Sequence, residues 1–225
     1  MTLFGPTHLL LLLAIAAIGV LLCRECRRRP ERARAIRLTI GYGLFVNEII
    51  WWTFRYAHES VRLSNLPLQL CDVTLWATAI ACLAPIPLVV EFAYFAGLAG
   101  GGMALLTPDL WAPWPSWPAI YFFIAHGAIV IGVAVLVFGR ICPLRPRGMW
   151  RAFGILLAYA AVIGALNRIL GTNYMYLCRK PASGSILDWF GPWPVYLFAG
   201  AAAALVLFAL LSIPLRGPAP ARPPE

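Results

Sequence analysis

Two residues of this chain have the side chains of a nucleophile and its base, and both fall inside long apolar segments: Cys71 and His126. A thiol becomes a strong nucleophile when a neighbouring base or positive charge turns it into a thiolate. His126 is the one histidine that the predicted spans place inside the membrane at a suitable depth. The pair therefore predicts cysteine–histidine nucleophilic catalysis.

Several polar residues are candidates to support such a pair. Asp72, Asp109 or Asp188 is a candidate to orient the imidazole, since a carboxylate fixes the tautomer of a histidine that it contacts. Arg55 or Arg168 is a candidate to stabilise an oxyanion or to hold a phosphate. Ionisable groups are costly inside hydrocarbon, so each one there is a functional candidate.

The composition predicts that membrane helices position these residues. Of 225 residues, 61% are hydrophobic and 12% are charged, and the mean hydropathy is +0.79. A soluble domain has about 45–50% apolar and roughly 25% charged residues. An ordinary soluble globule, a disordered chain and a disulfide-stapled secreted module are thereby excluded.

One bundle accounts for nearly the whole chain. Because each span needs about 20 mostly apolar residues, the sequence has room for about seven. The predicted fold is all-α, a seven-helix transmembrane bundle over 1–215 with a disordered tail, 216–225. The predicted spans are 6–23, 38–57, 67–85, 87–106, 119–139, 152–170 and 193–214.

The positive charges predict the orientation of this bundle. The net charge is +9, and 13 of the 18 basic residues fall in three segments: seven in 24–37, four in 140–151 and two in the tail. These segments alternate correctly with seven spans, and the opposite side carries only three basic residues. The positive-inside rule therefore places the N-terminus outside and the C-terminus in the cytoplasm, in a multi-pass plasma-membrane protein. Basic charge in this position is a poor argument for nucleic-acid binding.

This topology gives Cys71 and His126 a similar depth. Cys71 lies about 7 Å and His126 about 10 Å below the external boundary, at 1.5 Å per helical residue. Helical spacing puts Cys71 and Asp72 on one stripe of the third span. Since a carboxylate does not face lipid, this stripe is expected to face the bundle.

No metal or soluble cofactor is expected. Cys23 and Cys26 have the spacing of half a zinc knuckle, but no second pair completes four ligands. Two readings without catalysis remain open for the polar residues. One is a structural polar network, and the other is a proton or ion pathway through Glu48, Asp72 and His126.

Four segments of the sequence carry a family resemblance. They are LPLQLCD at 66–72, YFAGLAG at 94–100 with ALLTPD at 104–109, FFIAHG at 122–127, and Asn167 with GTNYMYL at 171–177, Lys180-Pro181 and Leu187-Asp188. Together they resemble the YwaF-like family of bacterial integral membrane proteins. That family is similar to a eukaryotic seven-span acyltransferase that remodels ether phospholipids.

The resemblance implies roles for particular residues. It implies that Cys71 is the acyl-carrying nucleophile and that His126 is its base. Bacterial relatives commonly have a histidine two residues before the cysteine, where this chain has Gln69. Gln69 still donates and accepts hydrogen bonds, so it keeps a supporting role. The other matched residues in the site are Asn167, Asn173, Tyr174, Asp109 and Asp188.

The sequence therefore predicts a membrane phospholipid acyltransferase or transacylase. Its partners are phospholipids and lysophospholipids, and its intermediate is an acyl-cysteine. If water resolves the thioester, the same site is a lipase. The alternative, from a different class, is a non-enzymatic small transporter or lipid-binding scaffold.

Overall fold

Helices are the only regular secondary structure in the residues that the structure describes. A computed structural model describes residues 1–60, 62–110, 112–181 and 186–215. Seven main helices follow one another along these residues: α1 (Pro6–Arg28), α2 (Pro30–His58), α3 (Leu70–Leu83), α4 (Pro87–Leu106), α5 (Trp117–Phe138), α6 (Gly148–Leu170) and α7 (Val195–Ser212). Helix α4 contains a wider π-turn at Ala93–Gly97. Short 3-10 turns at Leu63–Asn65, Tyr174–Tyr176 and Ile186–Phe190 lie in the connections.

Prolines and one glycine mark the helix ends. Pro6, Pro30 and Pro87 each open a helix, where the missing N–H costs nothing and the fixed φ fits the helix. Gly171 ends α6 with a φ of 66°, a left-handed conformation that a residue without Cβ adopts at little cost. These local signals fix where the membrane helices begin and end.

Five of the helices are long and apolar enough to cross a membrane: α1, α4, α5, α6 and the segment Val195–Leu215 that begins with α7. Helix α3 is apolar but has 14 residues, or about 21 Å, less than the roughly 30 Å hydrocarbon core. Helix α2 has 29 residues, and its first third is charged. All seven segments that were predicted as spans thus contain a helix, and five of these helices meet the length and hydropathy criteria for crossing a membrane.

The segment 24–37, predicted as a linker between spans, is almost entirely helical. Helix α1 runs to Arg28 and α2 begins at Pro30, so only Arg29 interrupts them. Clustered positive charge does not distinguish a linker from a helix, because arginine is itself a good helix former. The tail 216–225 lies outside the described residues.

Arginines near this end of the bundle stabilise helix C-termini. The Arg37 guanidinium donates to the carbonyls of Cys82 and Leu83 at 2.6 and 2.8 Å, and Arg27 donates to the carbonyl of Phe138. The last carbonyls of a helix lack intrahelical partners and carry partial negative charge. These arginines, predicted only as topology determinants, therefore also lock α3 and α5 to their neighbours.

A buried carboxylate anchors the same end of α4. Glu91 has no exposed surface, and it accepts hydrogen bonds from Arg145 and Arg151 at 2.7 to 3.0 Å. These hydrogen bonds raise the pKa of the Arg145 guanidinium. Each oxygen has an arginine donor, so the charge of Glu91 is compensated, as a buried charge requires. Glu91 is thus structural and ties α4 to the connection between α5 and α6.

Helix α5 is the central helix of the bundle. One face packs Ile129 with Leu44 of α2 and Leu75 of α3. Another face packs Phe122 and Phe123 against Leu105 of α4. Helix α1 approaches so closely that a Cβ on Gly127 of α5 would lie 3.0 Å from the Ile15 side chain.

Helix α3 approaches α5 closely at Gly132. A Cβ added there would lie 2.8 Å from Thr78 Cγ2, 3.2 Å from Ile40 Cγ2 and 3.4 Å from Cys82 Sγ. Thr78 cannot turn away freely, because its hydroxyl donates to the Thr74 carbonyl at 2.7 Å. Gly132 therefore sets both the distance between these helices and their relative height.

We predict that Gly132→Ala lowers the stability of the bundle. The added methyl overpacks the contact with Thr78 and costs about 1–3 kcal/mol. The matched control is Gly154→Ala in α6, where a Cβ meets nothing within 4 Å, and which is expected to gain up to about 1 kcal/mol of helix propensity. Melting temperatures in detergent micelles test both, and equal melting temperatures for the two variants would contradict the contact.

Candidate active site

Cys71 lies in the first turn of α3, the second residue of that helix. Cys71 interacts electrostatically with four side chains of other helices and connections: Glu48, Tyr121, Tyr159 and Tyr176. The thiol nevertheless remains exposed. Cys71, predicted to face the bundle interior, thus interacts with Glu48 of α2 and Tyr121 of α5 but keeps exposed surface at the start of α3. A substrate can reach such a thiol.

A capping box fixes the backbone just before Cys71. The Asp72 carboxylate accepts from the backbone N–H of Gln69 at 2.9 Å, and the Gln69 side chain pairs with the N–H of Asp72 in return. This reciprocal pairing satisfies two N–H groups that the helix start leaves free. Asp72, predicted as a candidate to orient His126, instead holds the N-terminus of α3.

The external connection after α6 clamps the segment that leads into α3. The Tyr174 hydroxyl accepts from the Leu66 N–H at 2.8 Å and donates to the Leu63 carbonyl. Asn167 holds Tyr174 in turn, donating to its carbonyl at 2.9 Å and accepting from its N–H at 2.8 Å. Tyr174 and Asn167 are 2% and 1% exposed, so these bonds are shielded from water and rigid. Both residues, predicted as supporting, position the cysteine rather than contact it.

Gln69 and Tyr159 complete this clamp. The Met175 N–H donates to the Gln69 side-chain carbonyl at 2.9 Å. The Tyr159 hydroxyl of α6 donates to the Leu68 carbonyl at 2.9 Å. Met175 has a φ of 56°, which is costly for a residue with a Cβ and persists only where surrounding contacts fix it. Gln69 therefore joins two loops through a hydrogen bond in which its side-chain carbonyl is the acceptor.

His126 is buried in α5, and the bond it makes determines its tautomer. Its Nδ1 lies 2.8 Å from the Phe122 carbonyl oxygen, and its ring packs on Phe122 with centroids 4.2 Å apart. A carbonyl only accepts, so Nδ1 carries the proton of the neutral ring. The lone pair of Nε2 is then free to accept a proton, as a general base requires.

The register of α3 and α5 gives Cys71 and His126 the same height in the bundle. Thr78 lies against Gly132, and the two helices run in the same direction, since Cys71 and Tyr121 also interact. Cys71 lies seven residues before Thr78 in α3. Ala125, the neighbour of His126, lies seven residues before Gly132 in α5. Both steps move about 10 Å along the helix axis. Within the described part of the chain, no hydrogen bond joins the two side chains.

Glu48 and Tyr121 form a buried pair beside the thiol that the sequence analysis did not assign to the site. The Tyr121 hydroxyl donates to Glu48 Oε1, and its ring stacks on Trp51 at 4.0 Å. Glu48 is 1% exposed, and its Oε2 has no partner within the described residues. The signal in the sequence was a carboxylate inside an apolar segment, but its partner is 73 residues away in the chain.

The remaining predicted residues lie apart from His126. Arg55 forms an ion pair with Glu59 at 2.8 Å. The Asn173 side chain closes its own loop by accepting from Cys178 N and Arg179 N and donating to the Arg179 carbonyl. Asp109 is exposed at the end of α4.

Asp188 and Arg168 lie toward the last helix. Asp188 pairs with Lys180 at 3.8 Å, while Arg168 lies at the wall of a cavity between α6 and α7. No group of three or more His, Cys, Asp or Glu side chains is arranged to hold a metal ion in the described ranges. The structure thus brings together Cys71, Asp72, Gln69, Asn167 and Tyr174. Arg55 joins this group, because its guanidinium donates to the Asn65 carbonyl at 3.4 Å and interacts electrostatically with Asp72. Asn173 and Asp188 remain in contacts of their own.

Comparison with known protein families identifies the chain. The sequence profile of the TMEM164 family matches residues 3–212. The chain belongs to the TMEM164 family. Together with five apolar helices of spanning length, this membership makes it a membrane protein. No curated protein and no solved structure matches the sequence.

The matched region contains the seven main helices described above and the clamp that precedes Cys71. We predict that Tyr174→Phe loosens the segment 63–69, because the Leu66 N–H and Leu63 carbonyl lose their buried partner. Such a loss costs about 1–3 kcal/mol. Hydrogen exchange of this segment should become faster and the melting temperature should fall.

Tyr42→Phe is the matched control for this clamp. It also removes one phenol hydroxyl, but Tyr42 is 59% exposed on α2. This variant is expected to exchange at the rate of the unmodified protein. Equal exchange of residues 63–69 in both variants would show that the clamp does not fix the cysteine.

Proposed function

We propose that this TMEM164-family protein is a membrane phospholipid acyltransferase or transacylase that works through an acyl-cysteine on Cys71. The observation that carries the proposal is the register of α3 and α5, which supports a similar height for the exposed residue Cys71 and for His126, whose Nε2 has no hydrogen-bond partner among the described residues. The resemblance to lipid-remodelling acyltransferases supports the same chemistry. Phospholipids and lysophospholipids are the proposed substrates, and no metal or soluble cofactor takes part.

In the first step the Cys71 sulfur attacks the carbonyl carbon of an acyl ester in a phospholipid. His126 Nε2 takes the thiol proton as the carbon–sulfur bond forms. The tetrahedral intermediate collapses by breaking the carbon–oxygen bond to the glycerol. His126 returns the proton to the departing alkoxide, which leaves as the hydroxyl of a lysophospholipid, and a thioester remains on Cys71.

In the second step the hydroxyl of another lysophospholipid attacks the thioester carbonyl. His126 accepts the hydroxyl proton, the carbon–sulfur bond breaks, and the proton returns to the Cys71 sulfur. The enzyme is then restored, and one acyl chain has moved between two lipids. If water takes the place of the lysophospholipid, the product is a free fatty acid and the enzyme acts as a lipase.

The fixed segment before Cys71 gives this chemistry its geometry. An attacking atom must be held near its target within tight limits, since a misplacement of about 1 Å can cost 10²-fold in rate. The clamp of Tyr174, Asn167 and Gln69 supports such fixation.

We further propose a seven-span bundle over 1–215 in the plasma membrane, with the N-terminus outside and the C-terminus in the cytoplasm. The distribution of basic residues supports this orientation. A membrane-impermeant maleimide applied to intact cells is then expected to label Cys178, which is exposed in the connection between α6 and α7. Cys178→Ser removes that label in the control. Labelling of Cys178 only after the cells are opened would reverse the orientation.

The acyl-enzyme is the direct test of the mechanism. Purified protein incubated with a phospholipid or a thioester-forming lipid probe is expected to gain one acyl mass by intact mass spectrometry. Cys71→Ala is expected to gain none, since the sulfur that forms the thioester is absent. Cys178→Ala, which removes another exposed thiol, should acylate like the unmodified protein. Absence of an adduct with any lipid donor, in folded protein, would overturn the proposal.

His126→Gln tests the assignment of the base. Glutamine keeps a hydrogen-bonding side chain but cannot carry the proton, so the rate of acylation should fall by about 10²- to 10⁴-fold. Circular dichroism and melting temperature establish that the variant is folded. An unchanged rate would exclude His126 as the base and leave the acyl-cysteine with another proton acceptor.

A further inference from the structure

A large cavity opens between α6 and α7 on the side of the bundle away from α1 and α2. Its volume is about 830 Å³, within the roughly 300–1,000 Å³ of sites that bury small organic ligands. Leu156 and Gly164 line it on α6, and Ala201 and Ala204 line it on α7. The glycine and alanines among these lining residues have little or no side chain, so the space between the two helices stays open.

The cavity has the length of one lipid chain. Its lining on α6 runs from Leu156 to Arg168, a rise of about 18 Å. One leaflet of the hydrocarbon core is about 15 Å thick, half of the whole. A site that is apolar and one leaflet deep fits a fatty acyl chain lying along the helices better than a compact ligand.

Positive charge lies at one end of this apolar cavity. Arg168 belongs to the lining, and its guanidinium forms no hydrogen bond or ion pair with any residue that the structure describes. Lys180 lies nearby, with its ammonium 5.6 Å from the ring centre of Tyr196, another lining residue, but Asp188 compensates its charge at 3.8 Å, so Arg168 is the phosphate ligand of this proposal. An arginine fork binds phosphate oxygens through two parallel hydrogen bonds. Charge and shape together match a phosphate joined to an acyl chain.

The wall of the cavity also reaches the candidate active site. Leu70, the residue before Cys71, is part of the lining. So is Met175, whose N–H donates to Gln69. With a phosphate on Arg168, the ester groups of a phospholipid lie just below it, at the depth of the first turn of α3. The acyl chain continues inward between Leu156 and Ala204.

We propose that this cavity binds the donor phospholipid, with its phosphate on Arg168 and one acyl chain between α6 and α7. The assignment rests on the proposed function in one respect, that the bound lipid is the acyl donor of Cys71. It makes α6 and α7, rather than the α1–α2 face, the side from which the substrate enters. The bound lipid then presents its ester carbonyl at the edge of the cavity formed by Leu70.

Photocrosslinking in nanodiscs tests this site. The full chain is reconstituted with a phosphatidylcholine that carries a diazirine at the end of one acyl chain, and adducts are located by peptide mass spectrometry. Adducts are expected at the inner end of the cavity, at Leu156, Leu157 and Ala204. Ala201→Trp should lower them by about tenfold, because the indole fills the space that the chain occupies.

Ala202→Trp is the matched control. Ala202 is exposed and does not line the cavity, so the same indole one residue further along α7 should leave the adducts unchanged. Adducts spread evenly over the lipid-facing surfaces of α1 and α2, or equal adducts in the two tryptophan variants, would overturn the proposal.

Arg168→Gln tests the phosphate contact separately. It is expected to lower adducts of the phosphatidylcholine probe by about tenfold, the worth of one charge-assisted contact. Adducts of a neutral diacylglycerol that carries the same diazirine chain should not change. An equal loss for both probes would assign Arg168 a structural role and refute the phosphate site.

Cys71→Ala separates this proposal from the proposed function. The variant should lose the acyl adduct on the protein but keep the crosslinks in the cavity. If the unmodified protein crosslinks in the cavity and never forms an acyl-cysteine, the lipid site stands and the transferase mechanism fails. If acyl-cysteine forms normally in Ala201→Trp, the donor reaches Cys71 by another route and the cavity is not the donor site.

Discussion

The position of every candidate catalytic group depends on how closely α3 approaches α5. At Gly132 the absence of a side chain lets Thr78 come within a distance that no Cβ would allow. That contact fixes the relative height of two helices that run in the same direction. The first turn of α3 and the histidine of α5 therefore occupy one layer, although 55 residues separate them in the chain.

A short helix needs external support, and α3 receives it at both ends. Arg37 holds its last carbonyls, and the capping box of Gln69 and Asp72 holds its first N–H groups. Beyond that start, Tyr174 fastens the extended segment through buried hydrogen bonds. The result is a rigid first turn that nonetheless leaves Cys71 exposed, which suits a nucleophile that must meet a lipid.

The two ends of the bundle use charge in different ways. At the end rich in arginine, Glu91 and the guanidinium groups form compensated pairs that hold helices together. At the other end, Arg168 lines an apolar cavity without an ion pair in the described ranges. Compensated charge builds structure, whereas uncompensated charge beside an apolar space suits the binding of an anionic headgroup with a chain.

Composition and hydropathy determined much of this protein from the sequence alone. Hydropathy predicted the all-helical membrane class and the seven apolar segments that contain the main helices, whereas the start of α2 at Pro30 was not predicted. The sequence also singled out Cys71, Asp72 and His126, because polar groups in apolar segments are few and costly. Asn167 and Tyr174 entered the predicted site through the family resemblance. These properties are local, so they can be read one segment at a time.

Only the tertiary structure decided what each of those residues does. Asp72 caps a helix instead of orienting the imidazole, Tyr174 clamps a segment more than 100 residues away, and Tyr121 joins Glu48. The exposure of Cys71 and the cavity behind Leu70 likewise arise where helices meet. Helical periodicity gives the face of one helix, but which partner covers that face depends on packing between distant segments, and that packing is not local in the chain.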